Sequence, residues 1–198
     1  MPDDKDSRIE ELERRLEDEV GRLNRLVEIA GRLNSTLNLD ELLGMIMNSA
    51  AELLDAETSS LLLLDEESGT LTVELATGEP APAVEKQRLP AGAGIAGWVI
   101  EHNEPAVVDS PREDPRFYGG VDEKSGFKTR NLVAVPLRTK ERVIGAVEVI
   151  NKRSGGFEDR DVSLATALAD QAAIAIDNAR LYARLADAVV TSRLSYRL

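Results

Sequence analysis

The sequence predicts an α+β fold in which an antiparallel sheet lies between helical ends. Three observations carry the prediction. Apolar residues recur at helical spacing from Ile9 to Leu54 and again from Leu168 to Val189, whereas Thr58 to Ile150 reads with the period of strands. The segments that read as paired strands are joined by connections of a few residues, which antiparallel neighbours can use and parallel ones cannot. Leu61–Leu64, Leu132–Val135 and Val143–Val147 are apolar on both alternating faces, as strands of a sheet covered on both sides must be.

Residues 1–37 read as an N-terminal coiled-coil helix. Eight of the nine a and d positions between Ile9 and Leu37 are apolar, Glu19 being the exception, and heptads sustained over that length ask for a partner helix. Asn38, with Glu41 three residues on, reads as a capping box that opens a helix running to Leu54. SSLLLLDEESGTLTVELAT is predicted as a hairpin turning over Asp65–Thr70. VEKQRLP is a weaker strand, and NLVAVPLRTKERVIGAVEVINK a second hairpin turning at Lys140–Glu141. Between the hairpins lie a glycine-rich approach, a short helix over Ile95–His102, a strand over Ala106–Asp109 and a long irregular stretch, Ser110–Arg130. A last helix starts near Asp159. Its two apolar lines predict two contacts, one with the sheet and one with another helix, and residues 184–198 read as its extension.

Composition narrows the chemistry. The 198-residue chain has no cysteine and one histidine, His102. Thiolate metal sites, cysteine nucleophiles and multi-histidine metal sites are therefore excluded. A net charge of −12 repels nucleic acid and anionic membranes. No apolar run approaches a membrane span and no signal-peptide pattern opens the chain. The expectation is a cytoplasmic protein with no nucleic-acid or membrane partner.

Two segments stand out. In LPAGAGIAGWV, Gly92 and Gly94 precede a helix whose first N–H groups could hold an anion; the spacing is not that of a phosphate loop, and the glycines equally serve a sharp strand-to-helix turn. Ser110–Arg130 holds three of the chain's seven aromatics, Phe117, Tyr118 and Phe127, and five bases against four acids. Loops of that length in compact domains are often lids, and this composition suits a planar anionic ligand; folding of the loop onto the sheet explains the aromatics equally well. His102 reads as a helix-end residue with a structural role, and Trp98 as core. No pair of carboxylates suggests acid–base work.

GIAGWVIEHNEPAVV, DPRFYGGVDEKSGFKTRNLVAVPL, VIGAVEVINK and GFEDRDVSLATALADQAAIAIDNARLY, in this order, resemble the GAF domain over residues 38–183. The second block is similar to the GAF domains of cyclic-nucleotide phosphodiesterases and some adenylyl cyclases. The resemblance implies a sheet of about six strands, the terminal helices on one face and a small-ligand pocket on the other. It also implies a non-catalytic sensor that dimerises through its end helices. Asn151, Lys152, Phe157 and Asp161 match the Asn-Lys…Phe…Asp-Glu pattern of the cyclic-nucleotide branch, with Val162 in place of the glutamate. There the lysine and aspartate pair to lock a loop, a structural role. The resemblance further implies ligand contacts at Asp122, Ser125, Thr129, Ile95 and Ala96, with Phe117 in the lid. Ala76 and Thr77 stand where purine-binding relatives often carry Phe-Asp, so a stacking surface and a base-reading carboxylate are absent there.

The function expected is a homodimeric small-molecule sensor with no cofactor, a cyclic nucleotide (cAMP or cGMP) being the first ligand to test. The alternative is a dimerisation or docking module with no functional ligand. The output domain is expected on a separate partner or on a longer chain from which this one is cut.

Overall fold

The computed structural model describes residues 39–65 and 67–195, together with 8, 11, 12, 14 and 15, and side chains as far as 185. The chain forms two compact units, Leu39–Asp177, and Met1–Asn38 with Asn178–Leu198. In the second unit the described N-terminal residues are helical, and Arg15 pairs with Glu11 one turn earlier at 2.7 Å. The heptad positions other than Leu12, and Asn38 of the capping box, lie outside the described residues.

The first unit opens with α1, Leu39–Leu53, whose Leu43, Met47, Ala50 and Ala51 form a buried stripe. Strands β1 (Ala56–Leu64) and β2 (Leu71–Ala76) follow, then a one-turn helix α2 (Ala81–Val84) and β3, reduced to Arg88–Leu89. The weak strand expected over VEKQRLP is present but only at Arg88–Leu89, and Pro80 and Pro82 favour the helical turn just before it, Pro80 as its N-cap. Next come α3 (Gly94–His102), β4 (Ala106–Val108), a 3-10 turn (Pro111–Glu113) and α4 (Gly120–Ser125). The last elements are β5 (Leu132–Arg138), β6 (Val143–Lys152) and α5 (Asp159–Ser195).

The six strands form one sheet in the order β3-β2-β1-β6-β5-β4, and each pairing is antiparallel. The central strands are buried on both faces, with Leu132–Leu137 enclosed without a break. One face packs against α1 and the first part of α5. There Ala165, Ala169, Ala172 and Ala173 let the helix lie close over Val133, Val135, Val147 and Val149. The other face carries a second apolar cluster, made by Leu62, Val73, Leu132 and Ala146 with Ile95, Ala96 and Val99 of α3. Gly145 sits where β6 crosses β1, and a Cβ there would lie 2.0 Å from the Leu62 carbonyl oxygen.

Candidate functional site

Strand alternation decides what faces the second side of the sheet. Thr58, Ser60 and Leu62 of β1 point there, as do Ala146, Glu148 and Ile150 of β6. Leu61, Val147 and Val149 point to the helices, and the Ser59 hydroxyl donates to the Met47 carbonyl of α1 at 2.7 Å. The glycine-rich approach brings α3 to the rim of this face. Gly92 and Gly94 hold φ of +67° and +75°, and Gly97 packs so closely that a Cβ would meet the Gly92 carbonyl carbon at 2.3 Å. The sharp turn is thus what these glycines serve.

The lid closes the remaining side. Its outward fastening is a stack. The Arg116 guanidinium is held by Asp114 through bonds of 2.9 and 2.7 Å and lies 4.6 Å over the Trp98 ring. That ion pair holds the Asp114 carboxyl below its usual range. Trp98 is half-buried rather than core. His102, at the end of α3, stacks on it at 4.3 Å, its Nδ1 2.9 Å from the Trp98 carbonyl. The inner end of the lid is fixed by Asn151, which is fully buried at φ +62°. Its Nδ2 donates to the Lys128 carbonyl at 3.0 Å and to Glu57 at 2.7 Å, and its Oδ1 accepts the Arg130 N–H at 2.7 Å. Arg130 also donates to Glu57 at 2.6 Å; with Asn151 it holds that carboxyl below its ordinary value against the effect of burial. Lys152 and Asp161 form a buried ion pair, with Asp161 also accepting the Glu158 N–H at 2.9 Å, and the Lys152 ammonium lies over Phe157. These residues close the loop after β6 outside the cavity, as structural residues would.

The cavity so enclosed has an empty volume of about 700 Å³, part of it open to solvent. Six of the eight residues expected at the ligand line it: Ala76, Ile95, Ala96, Phe117, Asp122 and Thr129. Thr77 and Ser125 do not. Thr77 follows Ala76 and so faces the other way; its hydroxyl accepts the Ser59 N–H at 2.9 Å. Ser125 closes the end of α4, donating to the Val121 carbonyl at 2.8 Å and accepting the Phe127 N–H at 3.2 Å. Asp122 and Thr129 reach the cavity bound to each other, through the Thr129 N–H at 2.9 Å and its hydroxyl at 2.7 Å.

The residue the sequence reading missed is Glu148. It stands at the middle of the central strand, enclosed by protein except where it opens into the cavity. Burial pushes its carboxyl up to about 7; the Ser60 hydroxyl and the Ala96 N–H favour the charged form and work against burial, and the Asp122 carboxylate adds to the rise. The basic residues of the lid stay outside. Among the described residues no lysine, arginine or histidine lines the cavity, and the titratable groups that do are Glu148, Asp122 and Tyr118. The carboxylate pair that the sequence did not suggest is therefore present in space.

Comparison with known proteins agrees with this architecture. Residues 36–177 match the GAF domain. The chain is 28% identical over 185 residues to the probable 3',5'-cyclic phosphodiesterase pde-5 of Caenorhabditis elegans, covering 88% of this chain and 25% of that protein. It is also 28% identical over 168 residues to the dual 3',5'-cyclic-AMP and -GMP phosphodiesterase 11A of Takifugu rubripes, covering 79% of this chain and 19% of that one. The chain thus spans about a quarter of the first relative and a fifth of the second. Among solved structures, the GAF domain of a phosphoenolpyruvate-protein phosphotransferase from Coxiella burnetii superposes with a TM-score of 0.68 at 21% identity, over 83% of this chain and 96% of that one. With the family matched across the whole sheet, its cavity and the helices behind it, the chain belongs to the GAF domain family of small-molecule-sensing regulatory modules.

Proposed function

We propose that this module binds a 3',5'-cyclic nucleotide in the lidded cavity, in the cytoplasm, and passes the occupancy to its end helices as a non-catalytic regulator. One observation supports the reading above the others: a largely apolar chamber in which a few polar groups, Ser60, Asp122, Thr129 and Glu148, converge beside the start of a helix. That is the usual build of a small-ligand site. The two phosphodiesterase relatives name the ligand class to try first. A homodimer through the end helices completes the proposal. Met45 and Leu53 on α1 are exposed in the first unit, and Leu181 and Leu185 on α5, one turn apart, are exposed in the second. The signalling output lies with a partner or with sequence beyond this module.

Titration calorimetry and thermal shift with cyclic AMP and cyclic GMP test the ligand. A saturable heat and a rise in Tm with either nucleotide are expected. No response to either at millimolar concentration overturns the nucleotide reading. A docking module without a ligand is the second reading, and one observation favours it: Asp122 and Thr129 satisfy each other.

A further inference from the structure

The start of α3 and the floor of the cavity make opposite demands on an anionic ligand. The N–H groups of the first turn of α3 are what the cavity offers a negative charge. One of them, the Ala96 N–H, together with the Ser60 hydroxyl, already favours the charged form of the Glu148 carboxyl. A phosphate arriving there displaces Glu148 from that N–H. It also joins two carboxyl groups, Glu148 and Asp122, in a space whose lining contains no cationic side chain. Each element packed round Glu148 leaves this unrelieved. β1 presents Ser60 and β5 presents Ala134, its neighbours in register. α3 presents the Ala96 N–H, α4 presents Asp122 and the lid presents the Tyr118 phenol. Three negative groups without a cation, in a chamber only partly open to water, repel one another. The least costly relief is for the carboxyl that loses its donor to lose its charge as well.

We propose that an anionic ligand enters this cavity together with one proton, which Glu148 takes up as it yields the Ala96 N–H to the ligand. This rests on the reading of the cavity as a ligand site. The proton comes from solvent, and the neutral carboxyl then has an O–H to donate where the carboxylate could only accept. Near neutral pH the uptake is cheap, because burial already holds Glu148 close to half-protonated. Binding of a phosphodiester should then weaken tenfold per pH unit above the midpoint of Glu148 in the free protein, the slope for one linked proton.

Two measurements on the whole chain decide it. Calorimetry with cyclic GMP and cyclic AMP, from pH 6 to 8.5 in buffers of different ionisation heat, reads affinity and proton uptake together. The carboxyl carbon resonance of Glu148 reads its titration with and without nucleotide. The expected result is uptake of up to one proton, a tenfold weakening per pH unit above neutrality, an upward move of the Glu148 midpoint with ligand, and a flat pH profile in Glu148→Gln. Heat of binding with an unmoved Glu148 midpoint overturns the coupling and leaves the ligand reading intact. No heat and no movement overturns both. A Glu148 that titrates in the ordinary carboxylate range in the free protein overturns the coupling before any ligand is added.

Discussion

Thr129 gives both of its donors to the two oxygens of Asp122, N–H to one at 2.9 Å and hydroxyl to the other at 2.7 Å. This clasp ties α4 to the segment leading into β5 and so adds a third fastening to those made by Arg116 and Asn151. Thr129→Val keeps the shape and the N–H but leaves one Asp122 oxygen without its donor. The expected loss is about 0.5–1.5 kcal/mol, with faster amide exchange at Gly120–Ser125 and unchanged exchange in β1 and β6. Exchange that quickens equally in the sheet would show the clasp to be part of the core instead.

Lys152→Met should be the more damaging change. The partners' side chains are only 8% and 7% exposed, so the mutation leaves a carboxylate buried and unpaired rather than removing a surface ion pair. A loss of about 3–5 kcal/mol is expected, read by urea unfolding. The double variant Lys152→Met, Asp161→Leu should recover a large part of it, since no lone charge then remains. Failure of the double variant to recover would place the contribution of Lys152 elsewhere.

Two carboxyl groups give stability opposite dependences on pH. Glu148 has its folded value raised from 4.5 to about 7. Below 4.5 it is protonated in both states and contributes nothing. From there to about 7 the unfolded chain ionises first, and the folded state is penalised by up to about 3 kcal/mol. Above 7 the penalty stays constant. Asp161 behaves in reverse. Burial raises its value, but the Lys152 and Glu158 hydrogen bonds outweigh burial and hold it below 3.8. Its contribution is complete above that value and is lost as pH falls through the folded one. Urea unfolding from pH 4.5 to 8.5 should therefore show Glu148→Gln gaining on the wild type as pH rises, while wild type and Asp161→Asn converge only in stronger acid. Parallel pH profiles for wild type and Glu148→Gln would contradict the burial argument.

Gly97→Ala and Gly92→Ala separate space from backbone geometry. A methyl at Gly97 collides with the Gly92 backbone at 2.3 Å, whereas Gly92 has open space and only its φ of +67° to defend. Alanine at 92 should cost about 1–2 kcal/mol. At 97 it should push α3 off its turn, with a larger loss of stability. Equal effects at the two positions would mean that α3 shifts freely.

Much of this architecture is legible in the residues because periodicity is a local signal. The two hairpins, α3 between them and the two-sided apolar strands all follow from alternation in short windows. What the sequence hides is facing. Thr77 and Ser125 were placed at the ligand by alignment to a family pattern, yet strand alternation sends Thr77 away from Ala76, and Ser125 is taken up by its own helix end. Trp98 looked like core by type, but its ring serves as the platform for Arg116 and His102. Glu148 had a signal that went unread. An acid at the centre of VIGAVEVINK shares a face with Ala146 and Ile150, and a charge in mid-strand of a sheet covered on both sides must open into a cavity or find a partner. That Asp122 lies close enough to raise it could not be seen, because twenty-five intervening positions carry no distance information.

The alternation of β6 has one more effect. Val147 and Glu148 are joined by a single peptide bond, yet one belongs to the helix-side core and the other to the ligand chamber. The sheet thus behaves as a diaphragm one residue thick. A change in charge or position at Glu148 should be felt on the far side without any relay of side chains, because the same strand seats Val147 and Val149 against the alanines of α5. Methyl resonances of these two valines should shift when Glu148 titrates, with no ligand present, and an unmoved pair would show that the diaphragm does not transmit. The chamber and the helices behind the sheet never share a compartment, and the pleat of one backbone is all that separates them.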